Sequence, residues 1–152
     1  MKLESADFSQ GGDIPRQYTC SGRDISPQVT WSDVPVDTKS FALIVDDPDA
    51  PSGTWVHWVA YNIPGNKRGL PENVDAILQM QDGTRQGRND FLEIGYGGPC
   101  PPQGHGSHRY FFKLYALDSK LDLLPGASKS ELERAMEGHI LAQAETMGRY
   151  ER

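Results

Sequence analysis

Phe41-Ala42-Leu43-Ile44-Val45 runs without a polar residue and stops at Asp46-Asp47-Pro48-Asp49-Ala50-Pro51. An apolar run this short, ending in Ile and Val, describes a strand buried on both faces better than one side of an amphipathic helix. The aspartates and prolines behind it end the strand in a turn, so a rigid sheet delivers carboxylates to a loop. On the C-terminal side, residues 54–62 suit a second strand. Plain alternation predicts Trp55, His57, Val59 and Tyr61 on one face, with Val56, Trp58 and Ala60 on the other. Ile63-Pro64-Gly65 closes it. Residues 108–117 make a third strand, in which His108, Tyr110, Phe112, Leu114 and Ala116 share a face opposite Arg109, Phe111, Lys113, Tyr115 and Leu117.

Between the second and third strands, residues 65–106 hold glycine-rich turns and few long apolar windows, which predicts loops with short strands. After the turn Leu124-Pro125-Gly126, Ser128 stands three residues before Glu131, a capping box that opens a short helix with Leu132, Ala135, Met136 and His139 on its apolar side. Gly138 is its stop. Ile140, Ala142, Ala144 and Thr146 then alternate with Leu141, Gln143, Glu145 and Met147, a pattern open to a closing strand or to more helix. With 16 Gly and 11 Pro spread along the chain, the expectation is one mainly β domain over residues 1–152, with a minor helical part.

The 152 residues suffice for a single core without metal or disulfide support. Fifteen Lys and Arg against 21 Asp and Glu give a net charge of −6, which argues against a protein built to neutralise nucleic-acid phosphates or to lie on an anionic membrane. No apolar run approaches the ~20 residues of a spanning helix. The opening Met1-Lys2-Leu3-Glu4-Ser5-Ala6-Asp7 shows no secretory pattern, so the cytoplasm is the default expectation. Cys20 and Cys100 match no metal or redox spacing, and the sequence leaves separate thiols and a bridge both open.

Three of the four histidines fall in two windows, Trp55-Val56-His57-Trp58 and Gly104-His105-Gly106-Ser107-His108-Arg109-Tyr110. Two acids, two histidines and a tyrosine at strand ends exceed what packing requires. The segment from Gly97 to Gly106, rich in Gly and Pro, leads straight into the third strand. It is no phosphate-cradling P-loop, because no Gly-Lys-Ser/Thr and no helix start follow.

Taken with Gln86-Gly87-Arg88-Asn89-Asp90 and Gly95-Tyr96-Gly97-Gly98-Pro99-Cys100-Pro101-Pro102, these motifs resemble the phosphatidylethanolamine-binding proteins, and more closely their bacterial Raf-kinase-inhibitor-like branch. The motifs follow the family's order over nearly the whole chain. The resemblance implies a β-sandwich in which a large twisted sheet packs with a smaller sheet and one or two short helices. It places Asp47, Asp49, His57, His108 and Tyr110 around a pocket for small anions such as phosphate or a phosphoethanolamine head group, with Pro51, Pro102 and Gly106 shaping the wall. It implies no cofactor, a regulatory or kinase/protease-inhibitor-like role, and a homodimer. Arg109 points away from its neighbours on the strand and is assigned to ion pairing.

An anion beside aspartates needs protons from somewhere, and the expectation is that the carboxylates hold His57 and His108 protonated or that one aspartic acid stays neutral. Two readings compete. A metal-dependent hydrolase could use the same His and Asp residues, although no compact chelate spacing such as His-x-x-x-His occurs. A serine hydrolase could use Ser52 or Ser107, but Ser107 and His108 alternate on a strand, and no Gly-x-Ser-x-Gly elbow exists. Neither supplies a convincing catalytic constellation.

Overall fold

A computed structural model describes residues 1–152. In chain order the elements are β1 (Lys2–Glu4), a 3-10 turn (Arg16–Tyr18), β2 (Val29–Ser32), β3 (Ser40–Asp47), β4 (Trp55–Pro64), β5 (Gly69–Leu70), β6 (Arg85–Gln86), β7 (His108–Leu117), α1 (Lys129–Met136) and β8 (Ile140–Tyr150). Five strands form one antiparallel sheet in the order β6-β4-β3-β7-β8, and β1-β2-β5 form a smaller one. The fold is therefore mainly β with a short helix, as the sequence pattern predicts, and has the two packed sheets that the resemblance implies.

The apolar run of β3 is explained by its place. It lies between β4 and β7, and every one of its residues is buried. Phe41, Leu43 and Val45 face the small sheet, meeting Val29, Trp31 and Leu70 together with Phe112 and Leu114 of β7. Ala42 and Ile44 face the opposite layer, where Leu121, Ala127 and, from α1, Leu132 and Met136 cover the sheet. A strand sandwiched between two apolar layers has no face left for polar residues. The capping box is present: Glu131 N–H donates to Ser128 Oγ at 3.2 Å, and Ser128 N–H donates to Glu131 Oε1 at 3.1 Å. After α1 the chain turns at Gly138 and becomes β8, which pairs with the full length of β7. That pairing decides between strand and helix where the local pattern could not.

Alternation fails in β4, and the failure matters. Val45 pairs with Trp58, but Asp46 pairs with Val56, so His57 is an extra residue in a β-bulge. Val56 consequently joins Val59 and Tyr61 in the layer under α1, while Trp58 and Ala60 face the small sheet. The expected grouping of His57 with Val59 and Tyr61 is thus corrected. His57 lies instead on the side of Tyr110, 5.2 Å between ring centroids.

Cys20 and Cys100 are joined in a disulfide with a Cα–Cα separation of 5.3 Å, which closes a loop spanning 80 positions. It ties the segment after the 3-10 turn to the Gly- and Pro-rich loop before β7. In the chain-entropy picture a crosslink of that span destabilises the unfolded state by up to about 4.5 kcal/mol. The double variant Cys20→Ser/Cys100→Ser should therefore unfold in guanidinium with a stability about 3–5 kcal/mol below the parent's, and an unchanged midpoint would show that the bridge contributes nothing.

Candidate functional site

The C-terminal end of β3 and the N-terminal ends of β4 and β7 meet at one edge of the sandwich. There they enclose a cavity of about 230 Å³ lined by Asp47, Ala50, Pro51, Ser52, Trp55, His57, Phe91, Cys100, Pro101, Pro102, His108 and Tyr110. β3 supplies the acid, β4 the bulged histidine and β7 the His/Tyr pair. Pro101 and Pro102 form a wall that offers no N–H.

Asp47 is 3% exposed, and its carboxylate is fully used inside the protein. Asp49 N–H donates to Oδ1 at 2.7 Å, closing the turn over Pro48, and His108 Nδ1–H donates to Oδ2 at 2.7 Å. The carboxylate thereby fixes the His108 tautomer and turns its Nε2 outward. That nitrogen lies 2.6 Å from Nδ1 of His105, an exposed residue between Gly104 and Gly106. One proton serves this contact: His105 donates it when His108 is neutral, and His108 donates it when it is an imidazolium. A hydrogen-bonded chain thus runs from the buried carboxylate to solvent.

His57 is held differently. Its Nδ1 lies 2.6 Å from the Gly97 carbonyl, which only accepts, so Nδ1 carries the hydrogen. Gly97 N–H returns a bond to the His57 carbonyl at 2.9 Å, so the loop serves the bulged residue at both its backbone and its ring. Gly98 has to be glycine for this approach, because a Cβ there would lie 2.3 Å from the Tyr18 carbonyl oxygen. Burial pushes the His57 pKa below its ordinary value of 6.5 against the opposing pull of the Gly97 carbonyl, Asp47 and Asp24. The expectation of a protonated His57 is corrected accordingly: the ring is neutral near pH 7. Tyr110 has a buried hydroxyl with no partner, and desolvation together with Asp47 and Asp49 raises its pKa, so it remains an O–H donor.

Of the residues singled out from sequence, Asp47, His57, His108, Tyr110, Pro51 and Pro102 come together around the cavity. Asp49 and Gly106 do not line it. Asp49 accepts Arg109 Nη2 at 2.8 Å on Oδ1, and the Arg109 side-chain Nε–H at 2.9 Å and backbone N–H at 3.0 Å on Oδ2. That bidentate pair keeps the Asp49 carboxyl down at about 2 and braces the turn. Ser52 reaches the lining and Ser107 does not. No three His, Cys, Asp or Glu side chains converge closely enough to hold a metal ion. Sequence reasoning missed Trp55, Phe91 and His105. Phe91 packs edge-on against both Trp55 and His57, at 5.6 and 5.4 Å. His105 precedes His108 by three residues between two glycines, and that spacing is its only signal in the sequence.

Residues 4–151 match the phosphatidylethanolamine-binding protein family. The chain is 54% identical over 153 residues to a UPF0098 protein of Aquifex aeolicus, covering 100% of this chain and 89% of that protein. Among solved structures it is similar to the putative phosphatidylethanolamine-binding protein homolog CT736 of Chlamydia trachomatis, with a TM-score of 0.90, 45% identity and coverage of 99% and 97%. It is also similar to E. coli YbcL, with a TM-score of 0.88, 35% identity and coverage of 99% and 98%.

The lowered His57 pKa sets a sign for stability. Above pH 6.5 the ring is neutral in folded and unfolded chains alike; below it the unfolded chain takes up the proton first, so acid erodes the native state. Between pH 7.5 and 5.5 the parent should lose stability relative to His57→Gln by up to about 1.4 kcal/mol per pH unit below 6.5. Parallel stability curves from chemical denaturation would mean that the ring titrates as it does in water.

Proposed function

The chain belongs to the phosphatidylethanolamine-binding protein family, and on that premise we propose that it binds a small anion, phosphate or a phosphorylated head group, in the cavity at the sheet edge. The carrying observation is the Tyr110 hydroxyl, a buried donor without a protein partner on a residue that lines the cavity, whose one acid already has both oxygens satisfied. A bare carboxylate ~4 Å from an anion would repel it by about 4 kcal/mol at an effective dielectric of 20. Asp47 offsets this by spending both carboxylate oxygens on protein donors, the Asp49 N–H and the His108 ring. The volume of about 230 Å³ suits a phosphate-sized group, and the acyl chains of a lipid would have to lie outside it.

His105 stands where an anion oxygen would meet His108 Nε2, so binding displaces that ring. Gly104 and Gly106, both at positive φ and with open space around them, give its loop the freedom to swing. The regulatory or inhibitor-like role implied by the resemblance would rest on this binding event.

No helix is long and apolar enough to cross a membrane. The disulfide bears on where the protein works: the cytoplasm remains our proposal for a host that keeps intracellular disulfides, as hyperthermophiles do, and an oxidising compartment otherwise. A homodimer has available the edge of β8 from Leu141 to Glu145, since the segment around Gly11 to Ile14 bonds only to Met147 and Arg149. Light scattering on the purified chain reads the association directly.

Calorimetric titration with inorganic phosphate at pH 7 should show one site. Tyr110→Phe should weaken it about 10-fold or more, the worth of a hydrogen bond to a charged group, and His105→Ala should tighten it roughly 3- to 10-fold by removing a competitor. No heat and no protection by phosphate in thermal melts would refute the anion site.

A further inference from the structure

We propose that the cavity selects oxyanions that still carry a proton, hydrogen phosphate and singly ionised phosphate monoesters, and discriminates against sulfate and phosphate diesters. This rests on the anion site proposed above and narrows its ligand class. The selecting group is His57.

The Nδ1 hydrogen of His57 is committed to the Gly97 carbonyl at 2.6 Å, and the ring is 3% exposed, packed edge-on against Phe91 and Tyr110. Its Nε2 has no partner in the protein. With the acids Asp47 and Asp24 nearby and burial opposing them, the neutral form prevails, so Nε2 presents a lone pair to the cavity. The site is therefore mixed: Tyr110 offers an O–H, His108 and His105 share a proton at a second point, and His57 asks for a donor. A P–OH satisfies His57 while the remaining oxygens accept from Tyr110 and from the one proton that His105 and His108 share. Sulfate and diesters have no such hydrogen at neutral pH, and an oxygen placed on Nε2 meets lone pair with lone pair. A site whose buried acceptor loses its donor rejects the analogue strongly.

The cleanest pair of probes is methyl phosphate and dimethyl phosphate at pH 5.5. With the second ionisation of a monoester near ~6, both carry about one negative charge there, and they differ in P–OH against P–OCH₃. Phosphoethanolamine against glycerophosphoethanolamine repeats the contrast with an amine present on both. The expected result is monoester binding about 10- to 100-fold tighter than diester, and phosphate tighter than sulfate by a similar factor at pH 7. In His57→Gln, whose amide offers a donor as well as an acceptor, the ratio should fall toward one. In the parent, long-range proton–nitrogen correlation spectra should show His57 Nε2 becoming hydrogen-bonded with methyl phosphate and unchanged with dimethyl phosphate, a reading that does not depend on the variant folding. Equal binding of the two esters, or a ratio that persists in a folded His57→Gln, overturns the selectivity and leaves the anion site standing. Silence toward phosphate and both esters overturns the anion site, and this proposal with it.

Discussion

A carboxylate buried at the end of the central strand is the constraint on which the site depends. Asp47 cannot lie 3% exposed as an ion unless both oxygens find donors, because an unpaired buried charge costs several kcal/mol. The two donors it finds come from opposite directions. The Asp49 N–H folds the chain back over Pro48, and the His108 ring draws the start of β7 against the end of β3. Satisfying one charge therefore sets the turn, the strand junction and the His108 tautomer together. Asp49, which does not line the cavity, holds Arg109 outside and braces that turn.

A second constraint is the wall opposite. The segment from Tyr96 to Pro101 is anchored at successive points: Tyr96 O–H to the Tyr18 carbonyl at 2.7 Å, Gly97 to His57, Gly98 N–H to Asp24 Oδ1 at 2.8 Å, Cys100 to Cys20, and the Pro101 carbonyl to Arg152 Nε at 2.6 Å. Its prolines remove N–H groups that would otherwise compete for a ligand. Donors in the cavity come from side chains of the sheet, where position is set by strand geometry and not by loop conformation.

How much of this was legible follows from which periodicities are local. β3, β7 and the capping box of α1 were readable because an uninterrupted apolar run, a strict two-residue alternation and a Ser-x-x-Glu each depend only on neighbours in sequence. β8 was not decided locally, since its residues fit either period until the long edge of β7 claims them. The cysteine bridge needed spatial distance. Most of the site residues were recoverable because chemistry-bearing side chains gathered at strand ends, but the direction of His57 was not. A bulge arises from a mismatch between two strands, and neither strand records it alone.

That bulge explains why the polar ring is tolerable at all. Under strict alternation His57 would point into the apolar layer beneath α1, among Val59, Tyr61 and Leu132, where an imidazole left without a partner would cost about 1–3 kcal/mol. Val56 would take its place beside Tyr110. The extra residue exchanges the two. The backbone cost of the bulge is met by the loop itself, since Gly97 gives its N–H to the His57 carbonyl and takes the His57 ring proton on its own carbonyl. Val56 is served likewise by Asp90, which accepts the Val56 N–H at 2.7 Å on its carboxylate and donates its own N–H to the Val56 carbonyl at 2.9 Å. Loops that look irregular in sequence act here as the missing edge strand of β4. They leave one ring nitrogen of His57 without a partner, and that nitrogen belongs to the cavity.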